Sequence, residues 1–271
     1  MGAGSMAEAF IRGVISQKAV SPRNIYVMNR SNRERAQRLV LEYGIQIAES
    51  KEAVRDARVV VLAVKPADAQ VALSQIAPYF HGQVLLSFAA GIPIEWLETQ
   101  TNSMATVIRA MPNLPVAVQA GATAVAYGAG VRPEDAEYVR FLLSKVGIVV
   151  DLPESLMDAA TAFSGSGPGF VSYFLEAMEA AAVRLGFDAL TARALLLQTV
   201  IGTARVLGEW GLSPEELRKR VTSPKGTTHA GLSVFENNHL LDTVYDVLKA
   251  AANRSTEMGQ AYSSDFDNEK E

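Results

Sequence analysis

The stretch "MGAGSMAEAF", residues 1–10, decides the fold. Gly2, Gly4 and Ala7 stand at the spacing of a dinucleotide fingerprint, in which a strand runs into a tight glycine turn and a helix opens on the cofactor's pyrophosphate. Gly2, Ala3, Gly4, Ser5 and Met6 are therefore candidate cofactor contacts. So short a pattern also occurs at ordinary helix entries, and its weight comes from the residues after it. A helical stretch with the small residues Ala7 and Ala9 comes next, then a strand, "NIYVM" (24–28). In a dinucleotide fold that strand's end meets the adenosine ribose, where an acid favours NAD and a basic or neutral polar set favours a 2′-phosphate. Here Asn29, Arg30 and Ser31 occupy the place, with Arg33 and Arg35 behind them, and the set reads as NADP. The competing reading is the solvated first turn of a surface helix.

Working outward, "ARVVVLAV" (57–64), "QVLLSFAAG" (83–91) and "ATVIRAMP" (105–112) read as strands, with helices over 31–44 and 66–80 between them. Their alternation is the βαβ rhythm of a Rossmann-like, doubly wound, mostly parallel sheet, and "VVVLAV" has the continuous apolar character of a strand buried on both faces. A helix primed by Pro133 and Glu134 leads to a last strand, "GIVVDL" (147–152). From Pro153 the strand signal stops, and residues 154–163, 167–186, 188–210, 213–221, 228–237 and 239–262 all read as helices with Gly and Pro at their junctions. The chain thus divides into a dinucleotide-binding domain, 1–152, and an all-α domain, 153–271. No strand precedes the glycine turn, because Met1 stands in its place. Such a strand would be central in the sheet. Two neighbours with unpaired backbone groups and exposed apolar surface are expected, and the chain reads as a shortened form of a longer protein.

Composition removes several function classes. The 271 residues are 49% hydrophobic and 20% charged, enough apolar content for two buried cores. A formal charge of −4 gives no electrostatic reason to expect nucleic acid or an anionic membrane. With no cysteine and three scattered histidines, neither a disulfide framework nor a zinc site is expected. No basic-then-apolar signal opens the chain, which suits a cytoplasmic protein. The apolar stretch 189–208 is interrupted by Arg193 and Arg205, and reads as a buried helix rather than a membrane span. A partner subunit or the chain's own helices could cover it.

Strand ends and helix starts supply further site candidates. Ligands of doubly wound sheets lie beyond the carboxyl ends of the strands, which places Ala63, Val64, Lys65 and Pro66 ("AVKP") along the dinucleotide groove. Lys65 is either a cation near the phosphates or a solvated strand-end lysine. Phe88, Ala89 and Ala90 in "SFAAG" end the next strand with small residues that admit a flat ring or simply pack. "FSGSGPGF" (163–170) and "TSPKGTTHAG" (222–231) each place glycines and hydroxyls before a helix. Free N–H groups and a positive dipole end suit a carboxylate there, although Ser and Thr are also ordinary caps. Two such segments beside a dinucleotide domain point to a small acid as substrate.

In these residues the chain resembles the pyrroline-5-carboxylate reductases. "GAGSMAEA", "AVKP", "SFAAGI", "RAMPN", "SGSGP" and above all "VTSPKGTTHAGL" keep that family's order and spacing from Gly2 to the final helix. The resemblance implies a two-domain enzyme that reduces the cyclic C=N bond of 1-pyrroline-5-carboxylate to L-proline with NADPH, NADH being the other donor. It implies a homodimer interlocked through the helical domain, with further assembly into decamers. It also implies that Thr228 donates a hydrogen bond to the ring nitrogen, and that Ser223 and the N–H groups of Gly226, Thr227 and Thr228 hold the carboxylate. Glu154 would lie near the substrate, Ser50 near the adenosine, and Phe88, Ala89 and Ala90 by the nicotinamide. Lys225 departs from the glycine usual in that block, and Arg220 from an asparagine. Two other readings stay open: a non-catalytic or cofactor-impaired protein of the same fold, and a reductase of a related cyclic imine. A hydroxy-acid dehydrogenase would need a lysine within 167–183, and that segment has none.

Overall fold

The computed structural model describes residues 1–29 and 33–268, and packing divides the chain into two compact units. One holds Met1–Pro168 together with the C-terminal segment from Leu248; the other is Gly169–Val247.

The first unit is built on parallel strands. β1 (Tyr26–Val27) pairs with β2 (Gln46–Ile47), and β3 (Val59–Leu62), β4 (Val84–Ser87), β5 (Thr106–Met111), β6 (Gly121–Tyr127) and β7 (Gly147–Asp151) lie side by side in chain order. All pairs are parallel except β5 with β6. The exception has a simple cause. A parallel return needs a crossover of about a dozen residues or more. Residues 112–120 supply only a 3-10 turn, Leu114–Val118, closed by Gln119 at φ +55°. The strand therefore comes straight back. By contrast α5 (Pro133–Ser144) bridges β6 to β7 and keeps that pair parallel.

Alternation along the strands sorts side chains onto two faces. Val60, Leu62, Leu85, Val107 and Ala124 pack with α3 (Ala69–Ile76) and α4 (Ile94–Gln100), while Val84, Leu86, Ile108 and Val125 pack with α1 (Ser5–Ser16) and α5. Leu85, Leu86, Val107 and Ile108 have no exposed surface, so each fully buried side chain contributes roughly 1.5–3 kcal/mol. α2 (Arg33–Tyr43) closes a third cluster through Ala36 and Leu39 against Ile11 and Val27. Three elements give no clear signal in the sequence: β2, β6 and α4, the first being only two residues long.

The packing boundary differs from the change of pattern at residue 152. Met157 and Ala160 of α6 (Met157–Ala160) bury in the core that covers one sheet face. The last helix, α11 (Leu240–Asn268), sends Ser255 to Asp158, and its Gly259 meets Gly91, where an added Cβ would fall 2.6 Å from Gly91 O.

The second unit is wholly helical. α7 (Gly167–Arg184) leads to α8 (Ala189–Trp210), α9 (Pro214–Arg220) and α10 (Thr227–Asn237). Its turns are locally encoded: Asp188 accepts from the N–H groups of Leu190 and Thr191, and Ser213 and Glu216 form a reciprocal capping box. Arg193 grips Glu179 with two hydrogen bonds, of 2.7 and 3.0 Å, tying α8 to α7. α8 is long and apolar enough by composition to cross a membrane, yet only Ala192 of it is buried. A helix surrounded by its own chain is therefore not what forms: Leu190, Leu195, Leu197 and Ile201 face outward.

Candidate active site

The glycine turn is shaped by contacts behind it. Met1 pairs with β3, its amine donating to Val61 O at 2.8 Å and its carbonyl accepting from Ala63 N at 2.9 Å. Gly2 N then donates to Met28 O at 2.9 Å, just beyond β1. Gly2 sits at φ +92°, and a Cβ there would lie 2.5 Å from Ala63 O. Only glycine satisfies both conditions. Gly4 is different. It is the N-cap of α1 at φ −70°, and a Cβ would meet nothing closer than Ala63 O at 3.9 Å. No contact within the protein requires glycine here, and the approach in front of the helix is open. α1 has no side-chain cap, which leaves its first N–H groups available to an anion. This cradle of a strained glycine, an open glycine and an uncapped helix start fits a pyrophosphate.

The surrounding candidates occupy adjoining strand ends. Ala63 directly succeeds β3, and Val64, Lys65 and Pro66 turn away from it into a 3-10 turn, with Lys65 exposed. Phe88 comes directly after β4, its N–H donating to Leu62 O and its ring meeting Phe10 edge-on at 5.4 Å. Phe88 and Ala89 are core residues, and Ala90 is the partly exposed one of the three. Ala3 is buried, Met6 packs on the α1 face of the sheet, and exposed Ser5 accepts from Arg35 at 3.4 Å. Arg35 also pairs with Glu8, which Arg38 holds at 2.6 Å. Asn29 is partly buried at the end of its strand; Arg30 and Ser31 lie outside the described residues. Ser50 caps the 3-10 turn Lys51–Val54 by accepting from Glu52 N at 3.0 Å.

Glu154 belongs to a partly buried network around the buried Arg109 instead of standing free. Its Oε1 accepts from Ile94 N at 2.7 Å, capping α4 from a distant part of the chain, and from Arg109 at 3.3 Å. Arg109, whose side chain is 6% exposed, also reaches Asp158 at 3.4 Å, and Asp158 accepts from Ser255 and Thr256. The signal in the sequence is one arginine inside the otherwise apolar "ATVIRAMP". Asn113 of "RAMPN" likewise has a role that its sequence neighbours do not reveal. Its amide donates to Ser164 O at 3.0 Å and accepts from Ala122 N at 2.9 Å, so β6 anchors the serine-glycine segment. That segment is not the capping turn expected from its glycines. Residues Thr161–Gly165 form a π-helical turn, and Ser166 N donates to Thr161 O at 2.8 Å. Wide turns of this kind recur at functional sites.

The second unit carries the other candidates. Gly226 is the N-cap of α10, its N–H bonded to Ser223 O at 3.0 Å, and Ser223, Thr227 and Thr228 are exposed. Lys225 adopts φ +63°, the left-handed region, which accounts for a glycine being the easier residue at that point of the turn. No side chain caps α10 either, so it presents N–H groups as α1 does. The sequence candidates therefore fall in two groups: the dinucleotide turn, the strand ends and Glu154 in the first unit, and Ser223–Thr228 in the second.

Residues 154–258 match the pyrroline-5-carboxylate reductase dimerisation family, and residues 1–91 match the family described as NADP oxidoreductase, coenzyme F420-dependent. Pyrroline-5-carboxylate reductase 2 of Bacillus subtilis is 37% identical over 263 residues, covering 97% of this chain and 95% of its own. The chain belongs to the pyrroline-5-carboxylate reductase family. Among solved structures, the reductase of Coxiella burnetii superposes with a TM-score of 0.88 at 32% identity, over 95% of this chain and 96% of the other. The Plasmodium falciparum pyrroline carboxylate reductase, solved with NADP bound, gives 0.85 at 30% identity and covers 96% of each chain. Membership in this family of reductases, together with the Rossmann-like sheet, makes the chain an oxidoreductase.

Proposed function

We propose that this chain reduces 1-pyrroline-5-carboxylate to L-proline, the last step of proline biosynthesis, with NADPH as donor and NADH as the alternative. The observation that carries the reading is the presence in one chain of the Gly2–Gly4 cradle and an uncapped α10 headed by "SPKGTT", in a sequence related to reductases along its length.

When bound, the nicotinamide supplies a hydride to the ring carbon of the C=N bond. The chain's residues meet the other requirements. Gly2, Ala3, Gly4, Ser5 and Met6 hold the pyrophosphate at the start of α1. Asn29, Arg30, Ser31 and Ser50 receive the adenosine end. Ala63, Val64, Lys65 and Pro66 line the groove, with Lys65 near the phosphates. Ala90 borders the nicotinamide, with Phe88 and Ala89 supporting that surface from the core. Ser223 and the N–H groups of Gly226, Thr227 and Thr228 hold the substrate carboxylate at a positive helix end. Hydride addition builds electron density on nitrogen, which needs a proton or a donor at that moment, and the Thr228 hydroxyl is the donor. No side chain of "SPKGTT" titrates near neutrality in its free form, so the proton comes with the substrate or from water. Glu154 acts by positioning α4, because Ile94 and Arg109 already claim its carboxylate.

The exposed apolar faces of α7 and α8 are the dimer contact, and dimers assemble further into decamers in the cytoplasm. Substrate-dependent oxidation of NADPH and NADH tests the activity, with Thr228→Ala as the site test. The expected result is turnover by the wild type and a loss of about 10²–10³ in kcat for Thr228→Ala, with NADPH affinity unchanged. Unchanged turnover removes Thr228 from the reaction. Tight NADPH binding without turnover by the wild type favours the non-catalytic reading.

A further inference from the structure

The residues directly after β4 run through Gly91 into α4, and this short segment is anchored at both ends. Phe88 N donates to Leu62 O at 2.9 Å and Ala89 N to Ser87 Oγ at 3.3 Å. At the far end Ile94 N donates to Glu154 Oε1 at 2.7 Å. Phe88, Ala89, Gly91 and Ile92 are buried, so Ala90 is the residue among them that the segment presents outward.

The last helix, α11, lies against Gly91. Gly91 sits at φ +76°, and a Cβ on it would fall 3.0 Å from Ser255 O and 3.3 Å from Gly259 N. The contact is reciprocal, since a Cβ on Gly259 would fall 2.6 Å from Gly91 O. Backbone therefore meets backbone, with no room for a side chain on either partner. Glycine inside a helix weakens it, and here the missing side chain is what permits the approach. Neighbouring side chains pin α11 at this level. Ser255, Gly259 and Tyr262 share one helix face at the spacing i, i+4, i+7. Ser255, 3% exposed, donates to Asp158 Oδ1 at 2.7 Å, and Thr256 donates to Oδ2 at 3.0 Å. Arg109 of β5 holds the same carboxylate at 3.4 Å. On the other side of Gly259, Tyr262 meets Trp96 of α4 edge-on at 4.9 Å. The helix is thus tied to the sheet through Asp158 and packed on α4 through Trp96, with Gly91 held between these two attachments.

We propose that α11 is a positioning strut for the nicotinamide, in which Gly259 and Ser255 hold Gly91 and so fix where Ala90 stands against the ring. Both are positioning residues that act on the cofactor only through Gly91. The inference rests on the reading of Ala90 as the residue bordering the nicotinamide. Close-packed interiors transmit a displacement instead of absorbing it, and a misplacement of about 1 Å at a reacting group costs on the order of 10² in rate. The Gly2–Gly4 turn is set by Ala63 and Met28 instead, so a shift at Gly91 falls on one end of the cofactor.

Gly259→Ala in the full chain tests this with two ligands, NADPH and 2′-phospho-ADP-ribose, which has the same adenosine and pyrophosphate without the nicotinamide. The variant is expected to bind NADPH at least about fivefold more weakly and 2′-phospho-ADP-ribose as tightly as the wild type does. Its kcat should fall at least about tenfold, with KM for pyrroline-5-carboxylate within about twofold of the wild type. Ser255→Ala removes the bond to Asp158 without adding volume, and should weaken NADPH alone by at least about twofold. Val139→Ala opens a cavity in the core under α5, and should lower the melting temperature while leaving both affinities unchanged. Equal effects on the two ligands in Gly259→Ala and Ser255→Ala, or no effect on either, overturn the proposal; if Gly259→Ala does not fold, Ser255→Ala decides alone. A wild type that binds both ligands without turnover counts against the reductase reading, and the two-ligand comparison still decides the strut. A wild type that binds neither overturns both.

Discussion

Replacing Gly2 and Gly4 separately by alanine should produce opposite failures, although the two glycines lie in one turn. At Gly2 the added Cβ would fall 2.5 Å from Ala63 O and 2.9 Å from Ala63 C. Ala63 cannot retreat cheaply because its N–H is bonded to Met1 O at 2.9 Å. The position also lies at φ +92°, a conformation that costs a non-glycine residue about 1–3 kcal/mol before any overlap. Together these predict a loss of about 3–5 kcal/mol in unfolding free energy for Gly2→Ala. At Gly4 the backbone is extended and the nearest atom is 3.9 Å from the new Cβ. The stability cost is then that of a poorer N-cap, a few tenths to about 1 kcal/mol. The new methyl group instead stands where the pyrophosphate must approach. NADPH affinity should fall at least about tenfold, equivalent to 1.4 kcal/mol. Denaturant melts of both variants, with NADPH titrations on Gly4→Ala, separate the effects. Equal destabilisation by the two changes, or an unchanged NADPH affinity in Gly4→Ala, would refute the assignment of structural and ligand-facing roles.

Arg109→Met should destabilise by about 2–4 kcal/mol, less than a fully buried pair because Glu154 and Asp158 keep 38% and 31% of their side-chain surface in water; adding Asp158→Asn should recover part of the loss, and strictly additive losses would contradict the network. Ile201→Glu puts a charge on the exposed face of α8, where Ile201 is 51% accessible, and sedimentation should then show monomers in place of dimers; a wild-type sedimentation profile would place the dimer contact elsewhere.

Much of the architecture is legible in the residues because it is local. The alternation of β-branched runs with helical spacing set β1, β3, β4 and β5, and glycine and proline marked the helix junctions after residue 153 within a few residues. The turn at Gly2–Gly4 could be read because its spacing reflects backbone conformation, and the Ser223–Thr228 segment because hydroxyls and glycine announce a helix start. Tertiary structure decided what depends on distant partners. β6 is antiparallel because residues 112–120 are too few to cross over, and β2 forms only because β1 lies beside it. Phe88, Ala89 and Ala90 stand together in one strand-end run, but it is neighbouring strands that bury the first two and leave Ala90 partly exposed. Glu154 looks like any junction carboxylate until Arg109 and Ile94, 45 and 60 positions away in the chain, take its oxygen. The sequence by itself determined where the chain turns and which faces are apolar, since propensity and period are local properties. Which polar groups are occupied and which apolar faces stay open are long-range matters of packing, and only the folded chain decides them.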